Sequence, residues 1–87
     1  MTEARTITLK PAEAWRYLGS TPEKEAVEVV VRSFDQDVLF ATGASPTAPD
    51  GKPLTVRAGE GGRLSGLHFF VKPESASTPS RILVRGL

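Results

Sequence analysis

His68 is the chain's single histidine, and there is no cysteine. One imidazole holds a metal ion only beside other ligands, and with no thiolate in the chain those would have to be carboxylates. No HxH, HxxE or HExxH spacing surrounds His68, and no neighbour in the sequence is placed to orient it for acid–base work. It reads as a structural or surface residue. Asp35 and Asp37 flank Gln36 with a spacing similar to that of a calcium loop. Such a loop also requires a third oxygen ligand, a glycine and a terminal glutamate, and Leu39 to Ala41 supply none of them. Aspartates in a polar turn cap backbone donors without any ion, which is the simpler reading. Gly59-Glu60-Gly61-Gly62 has the glycine density of a phosphate-binding loop but no Lys-Ser/Thr ending and no helix after it. It reads as a turn between strands that uses positive φ. With no GxSxG and no recognisable pair of catalytic carboxylates, the chain is expected not to be an enzyme and to use no cofactor or metal.

The residues suited to binding are of another kind. Trp15 and Tyr17, two apart, share one face of a strand, where they could stack on a sugar or pack in a core or subunit interface. Arg32, Arg57, Arg63, Arg81 and Arg85 fall mostly in strand positions. They either keep sheet faces and edges soluble or line an oligomer contact or an acidic partner surface. Eleven Lys and Arg against ten Asp and Glu leave a formal charge of +1. That balance argues against a dedicated nucleic-acid binder, which neutralises phosphates with a basic patch.

These side chains must be positioned by extended segments. From Ala26 to Thr42 the chain is free of Gly and Pro. It reads as two strands folded over a polar turn at Ser33 to Asp37, with Val27, Val29 and Val31 on one face and Glu28 and Arg32 on the other. Val27, Val30, Val31 and Phe34 also match a helical period, but so many β-branched valines favour a pleated surface. Arg5 to Lys10 alternates as a strand ended by Pro11. Trp15 to Leu18 forms the next strand, closed by Gly19, Ser20, Thr21 and Pro22, in preference to one helical turn after Pro11. Leu54 to Arg57, Arg63 to Gly66, Leu67 to Lys72 and Arg81 to Arg85 complete the set. Leu67, Phe69 and Val71 oppose His68, Phe70 and Lys72, and Ile82 and Val84 oppose Arg81, Leu83 and Arg85. The expected fold is all-β, a single small β-sandwich or jelly-roll-like barrel of about seven or eight short antiparallel strands, spanning residues 1–87 as one domain with a flexible loop at 45–53.

A chain of 87 residues buries roughly 60 to 65% of its unfolded surface, so association with other copies or a larger surface would add stability. No stretch has signal-peptide character, and nowhere do eighteen apolar residues follow one another. The absence of cysteine fits assembly in a reducing cytoplasm.

The order of the pieces resembles that of small structural proteins of tailed bacteriophages. The matching pieces begin with Ile7-Thr8-Leu9, Trp15, Val27 to Val31 and Asp37-Val38-Leu39-Phe40-Ala41-Thr42-Gly43-Ala44. Ala58-Gly59-Glu60, Arg63-Leu64-Ser65-Gly66-Leu67 and Ile82-Leu83-Val84 follow. Arg32-Ser33-Phe34-Asp35-Gln36 departs from the Asn-Gly-type turn common in that pattern. The resemblance implies a virion component, assembled in the bacterial host cytoplasm. It would be a decoration or cement protein on the capsid exterior, or the base of a head fibre or spike, commonly a trimer with a compact β-sandwich, jelly-roll or cupin-like fold. Its partners would be the major capsid protein or another virion protein, with no nucleic acid and no membrane. On that reading strand edges and the Ser45 to Pro53 loop contact the partner, with Trp15, Tyr17, Arg32, Pro46, Pro49, Arg81 and Arg85 as candidate interaction residues. Trp15, Val29, Phe40, Phe69 and Val84 are the expected core. The rival reading is a small carbohydrate- or ligand-binding module that uses Trp15, Tyr17 and His68 in one concave patch. A cupin-like metal enzyme is a third reading, against which a single histidine weighs heavily.

Overall fold

A computed structural model describes residues 4–20 and 27–87. Eight strands run through them: β1 (Arg5–Leu9), β2 (Arg16–Ser20), β3 (Val27–Ser33), β4 (Val38–Gly43), β5 (Leu54–Val56), β6 (Gly61–Gly66), β7 (His68–Pro73) and β8 (Ser80–Arg85). They form two four-stranded sheets, ordered β1-β8-β3-β6 and β2-β7-β4-β5, and every pairing is antiparallel. The first strand pairs with the last, the second with the seventh, the third with the sixth and the fourth with the fifth. That is a long antiparallel ribbon rolled on itself, the winding of a jelly roll.

Alternation decides which side of each strand is inside. Val29 and Val31 of β3, Val38 and Phe40 of β4, Val56 of β5, Phe69 and Val71 of β7, and Ile82 and Val84 of β8 meet between the sheets with Leu9 and Leu18. Ile7, Leu54, Leu64 and Leu87 pack around them. Four of the five expected core residues, Val29, Phe40, Phe69 and Val84, are in this cluster. Trp15 is not. It is only half-buried and lies on the outer side of the second sheet, with the Lys72 ammonium 5.8 Å from its ring centroid. The inward place near the start of β2 is taken by Leu18, because Tyr17 and Trp15 share the outward phase of that strand.

The expected hairpin over Ser33 to Asp37 is also corrected. The two strands are where the valine pattern places them, but β3 pairs with β6 and β8 while β4 pairs with β5 and β7. Both edges of β3 are occupied up to its end: Ser33 N–H donates to Glu60 O at 2.9 Å, Gly59 N–H donates to Ser33 O at 3.0 Å, and Phe34 N–H donates to Arg81 O at 3.1 Å. With no free edge left, the chain arches to the other sheet, and β3 and β4 meet through side chains. Gly19 and Ser20, expected to end the second strand, continue it, while Thr21, Pro22 and Ala26 lie outside the described residues.

Both long sides of the sandwich are fastened. The β2–β7 register shifts between Tyr17 and Gly19. The bulge leaves the Leu18 carbonyl to accept a 2.9 Å hydrogen bond from Arg5 Nη2 on the edge strand of the facing sheet, so one side chain joins the sheets. On the far side, the inward positions of β6 include Gly62 and Gly66. A Cβ on Gly62 would lie 2.8 Å from Leu54 Cδ2 and Val56 Cγ2, and one on Gly66 2.9 Å from Thr42 Cβ, so these bare positions let β6 close onto β4 and β5.

Candidate interaction surface

The winding puts the seven candidate residues on two opposite faces. On the second sheet, Tyr17 lies opposite Phe70 on β7, and Phe70 opposite Ala41 on β4. Lys72 lies opposite Leu39, and His68 opposite Gly43. The outward row of β7, His68-Phe70-Lys72, thus runs beside Trp15 and Tyr17. The Tyr17 ring is 5.4 Å from Phe70 and 5.8 Å from His68, centroid to centroid. Its hydroxyl is 2.9 Å from His68 Nδ1 and donates to it in the tautomer protonated at Nε2. Tyr17 is 41% exposed. The result is an aromatic ledge with one ammonium beside it, built on a paired sheet rather than on a loop.

The other half of this face is covered by residues 44–53. Asp50 and Gly51 N–H donate to Thr42 O at 3.1 and 3.2 Å, and Ala44 N–H donates to Asp50 Oδ2 at 3.0 Å, so both ends of the loop are tied to β4. Gly43 makes the approach possible: a Cβ there would meet Ala48 O at 2.6 Å, Phe70 Cε1 at 3.1 Å and Pro49 Cα at 3.2 Å. Phe70 and Ala41, outward by alternation, are consequently 2% and 0% exposed. Pro49 is half-buried in this closure, and Pro46 stands exposed.

Arg32, Arg81 and Arg85 lie on the first sheet, facing away from the core. They are exposed, in alternation with buried Ser33, Ile82 and Val84. The Arg81 guanidinium carbon lies 5.3 Å from the Phe34 ring centroid. Arg63 shares this side of the sheet with an ion pair to Glu28 at 3.4 Å.

Asp35 and Asp37 are turn residues: Asp37 Oδ1 accepts from Ala58 N–H at 2.8 Å, and the Ser33 hydroxyl donates to Gln36 O. Among the described residues no group of three potential ligands is placed to hold a metal ion. Gly59, with φ of 80°, supplies the positive-φ position expected in the β5–β6 turn. Phe70, Lys72 and Leu39 join the ledge without having been singled out. The period-2 pattern puts them outward, but which strand lies beside which is set by the winding.

Fold and faces together define an eight-stranded jelly roll whose two outer surfaces differ in composition, aromatic on one and arginine on the other. No protein-family model and no curated protein matches the chain. Among solved structures, the fold is similar to that in the crystal structure of protein NMB1881 from Neisseria meningitidis. The TM-score is 0.56 with 15% identity, over 97% of this chain and 72% of that one. At that identity the likeness is one of fold.

Proposed function

We propose that the chain is a structural, protein-binding component of a tailed-phage virion, a cement or decoration module on the capsid exterior or the base of a head fibre. The observation that carries this is the two-sidedness of the slab. Trp15, Tyr17 and His68 stand on one outer face, and Arg32, Arg81 and Arg85 on the other. Aromatic residues and arginine are the types enriched at protein interfaces, and a module that binds through opposite faces bridges two neighbours. Repetition over a particle converts modest single contacts into firm retention. The resemblance of strand and turn order to small phage structural proteins supports the same reading, and so does the jelly roll, a fold used by capsid proteins among others. Quantitative mass spectrometry of purified particles tests it. A fixed copy number per particle is the expected result, and stoichiometry separates a coat-wide cement from a vertex-limited fibre base. Particles that lack the protein while it accumulates free in the lysate would overturn the assignment.

The ledge favours a second reading, a carbohydrate-binding module. Tyr17 is exposed and Trp15 half-buried beside the hydrogen-bonding groups of His68 and Lys72, with Phe70 buried behind Tyr17, a composition that suits stacking on a sugar ring. Trp15 is the only tryptophan, so its fluorescence reports directly on this face. A saturable shift with oligosaccharides, lost in Tyr17→Ala, identifies the module. Indifference to sugars leaves the ledge to protein partners.

A further inference from the structure

The outer face of the β1-β8-β3-β6 sheet has a regular pattern. Val30 is flanked across the strands by Arg85 on β8 and Arg63 on β6. One row along, Leu83 is flanked by Arg32 on β3 and Thr6 on β1, and the next row pairs Arg81 with Thr8. Neighbouring rows lie roughly 7 Å apart along the strands and neighbouring side chains roughly 5 Å across them. Arg32, Arg63, Arg81 and Arg85 thus surround a small apolar centre of Val30 and Leu83. Glu28 is the carboxylate among the described strand residues that shares the face, and it is bound to Arg63. There is no lysine in this set. Arginine around an apolar centre is the composition of a protein interface.

The opposite charge stands at one end of the same sandwich. The turns β3–β4, β5–β6 and β7–β8 enclose an open hollow of about 320 Å³ lined by Asp35, Gln36, Asp37, Ala58, Glu74 and Ser75, with Glu60 further along the β5–β6 turn, outside that lining. These turns are tied to one another. Glu74 N–H donates to Asp37 O at 3.2 Å and Ser33 N–H to Glu60 O at 2.9 Å, while Ala58 N–H donates to Asp37 Oδ1 at 2.8 Å. The carboxylates are therefore presented on a fixed frame. A guanidinium entering the hollow meets acceptor oxygens from two turns, the arrangement in which arginine binds most strongly. Within one molecule neither Arg32 nor Arg85 is ion-paired with these carboxylates; among the described residues the ion pairs are Arg16–Glu13 and Arg63–Glu28.

We propose that the arginine face of one copy docks against the acidic turn end of a second copy, so that copies join end to face. Such a contact is heterologous. It closes into a ring when the rotation between copies permits, with three copies at 120°, and otherwise propagates. The inference deepens the structural-protein reading by assigning the surfaces through which copies hold one another, and it leaves the aromatic ledge on the opposite sheet for the particle.

The test is a charge swap read by sedimentation and by light scattering after gel filtration. Wild type is expected to associate in 50 mM salt and to dissociate progressively toward 500 mM, as screening weakens the contact. The face-reversed variant Arg32→Glu/Arg85→Glu and the end-reversed variant Asp35→Arg/Glu74→Arg each weaken self-association roughly 100-fold. Mixing the two restores it, because the acidic end of one meets the intact arginine face of the other and the two reversed surfaces also match. Lys52→Glu, on the covering loop, leaves association unchanged. All four substituted face and end positions are solvent-exposed, and circular dichroism and melting temperature verify that each variant folds. A wild type that stays monomeric at low salt overturns the proposal, as do reversals without effect or a mixture that fails to recover. Binding of wild type to a 20-base-pair DNA duplex that is lost only in the face-reversed variant, without self-association, would assign the face to a polyanion and equally overturn it. The particle assay is independent: a monomer found on particles refutes the docking and leaves the virion role. An oligomer absent from particles refutes the virion role and leaves the docking.

Discussion

Two serines of the first sheet are fully buried, and they should respond to the same substitution with opposite sign. Ser33, at the end of β3, and Ser80, at the start of β8, are each 0% exposed. The Ser33 hydroxyl donates to the Gln36 carbonyl across the arch. The Ser80 Oγ has no hydrogen-bond partner among the described residues. A hydroxyl removed from water without a partner costs about 1–3 kcal/mol, so Ser80→Ala recovers part of that, less the dispersion contacts of the lost oxygen. A net stabilisation of about 1 kcal/mol follows. Ser33→Ala deletes a made hydrogen bond, worth about 0.5–1.5 kcal/mol net, and destabilises by about 1 kcal/mol. In a domain of this size 1 kcal/mol moves the melting temperature by roughly 4–8 °C, which separates the two variants by about 10 °C. Thermal and urea unfolding followed by circular dichroism measure both, with an unchanged urea slope as the check that the unfolded state is unaltered. A destabilised Ser80→Ala refutes the reasoning, since it would mean that the hydroxyl is bonded, for instance to a trapped water. Equal shifts of the same sign would do so too, because burial alone, not hydrogen bonding, would then set the effect.

Gly43→Ala places a methyl group 2.6 Å from the Ala48 carbonyl oxygen. The covering loop must lift, at about 1–3 kcal/mol, and limited proteolysis should cut within 44–53 faster than in wild type. Ala12 is the described non-glycine residue with positive φ, at 57°; relief of the left-handed penalty outweighs the added chain entropy in Ala12→Gly, for a gain of about 0.5 kcal/mol visible in a thermal melt. The two hydrogen bonds from Arg16, at 2.6 and 2.9 Å, hold the Glu13 carboxyl below its ordinary pKa, with burial opposing and the Lys10 N–H assisting. The depressed pKa makes this stabilisation fully present above about pH 4.5, and it is lost as pH falls through the lower folded value. Glu13→Gln should therefore be less stable than wild type at pH 7 by about 0.2–1 kcal/mol, with the gap narrowing toward pH 3 in urea titrations.

Period-2 alternation carried most of the fold, because in a two-sheet structure it settles which side of each strand is inside whatever the pairing. Ile82 and Val84 against Arg81 and Arg85, or Phe69 and Val71 against His68 and Lys72, needed no neighbour to be assigned. Strand adjacency is another matter. The five residues from Ser33 to Asp37 serve a hairpin or an arch equally well, and the choice falls to Glu60 and Arg81, whose carbonyls occupy the backbone of Ser33 and Phe34. Those partners are distant in sequence, and no local propensity encodes them. The same blindness misplaced Trp15, since a large aromatic residue in a small β domain looks like core until the phase of β2 is set by Leu18 and its bulge.

The candidate surface was legible residue by residue but not as two faces. Arg32, Arg81 and Arg85 are on outward positions in any sandwich, and Trp15 and Tyr17 share one phase of β2, yet only the winding sends β2 to one sheet and β3 and β8 to the other. Separation of the two chemistries follows from that winding alone: the ribbon folds so that its first and last strands share a sheet, and the arginines of β8 land beside that of β3. Phe70 shows the converse. Its outward phase was clear, but the loop that hides it closes only because Gly43 has no Cβ, so the extent of the aromatic ledge is decided by one absent methyl group. Enlarging that residue should therefore widen the ledge at the expense of stability. Binding by this face in Gly43→Ala, compared with wild type through Trp15 fluorescence, separates what the ledge contributes from what the covering loop contributes.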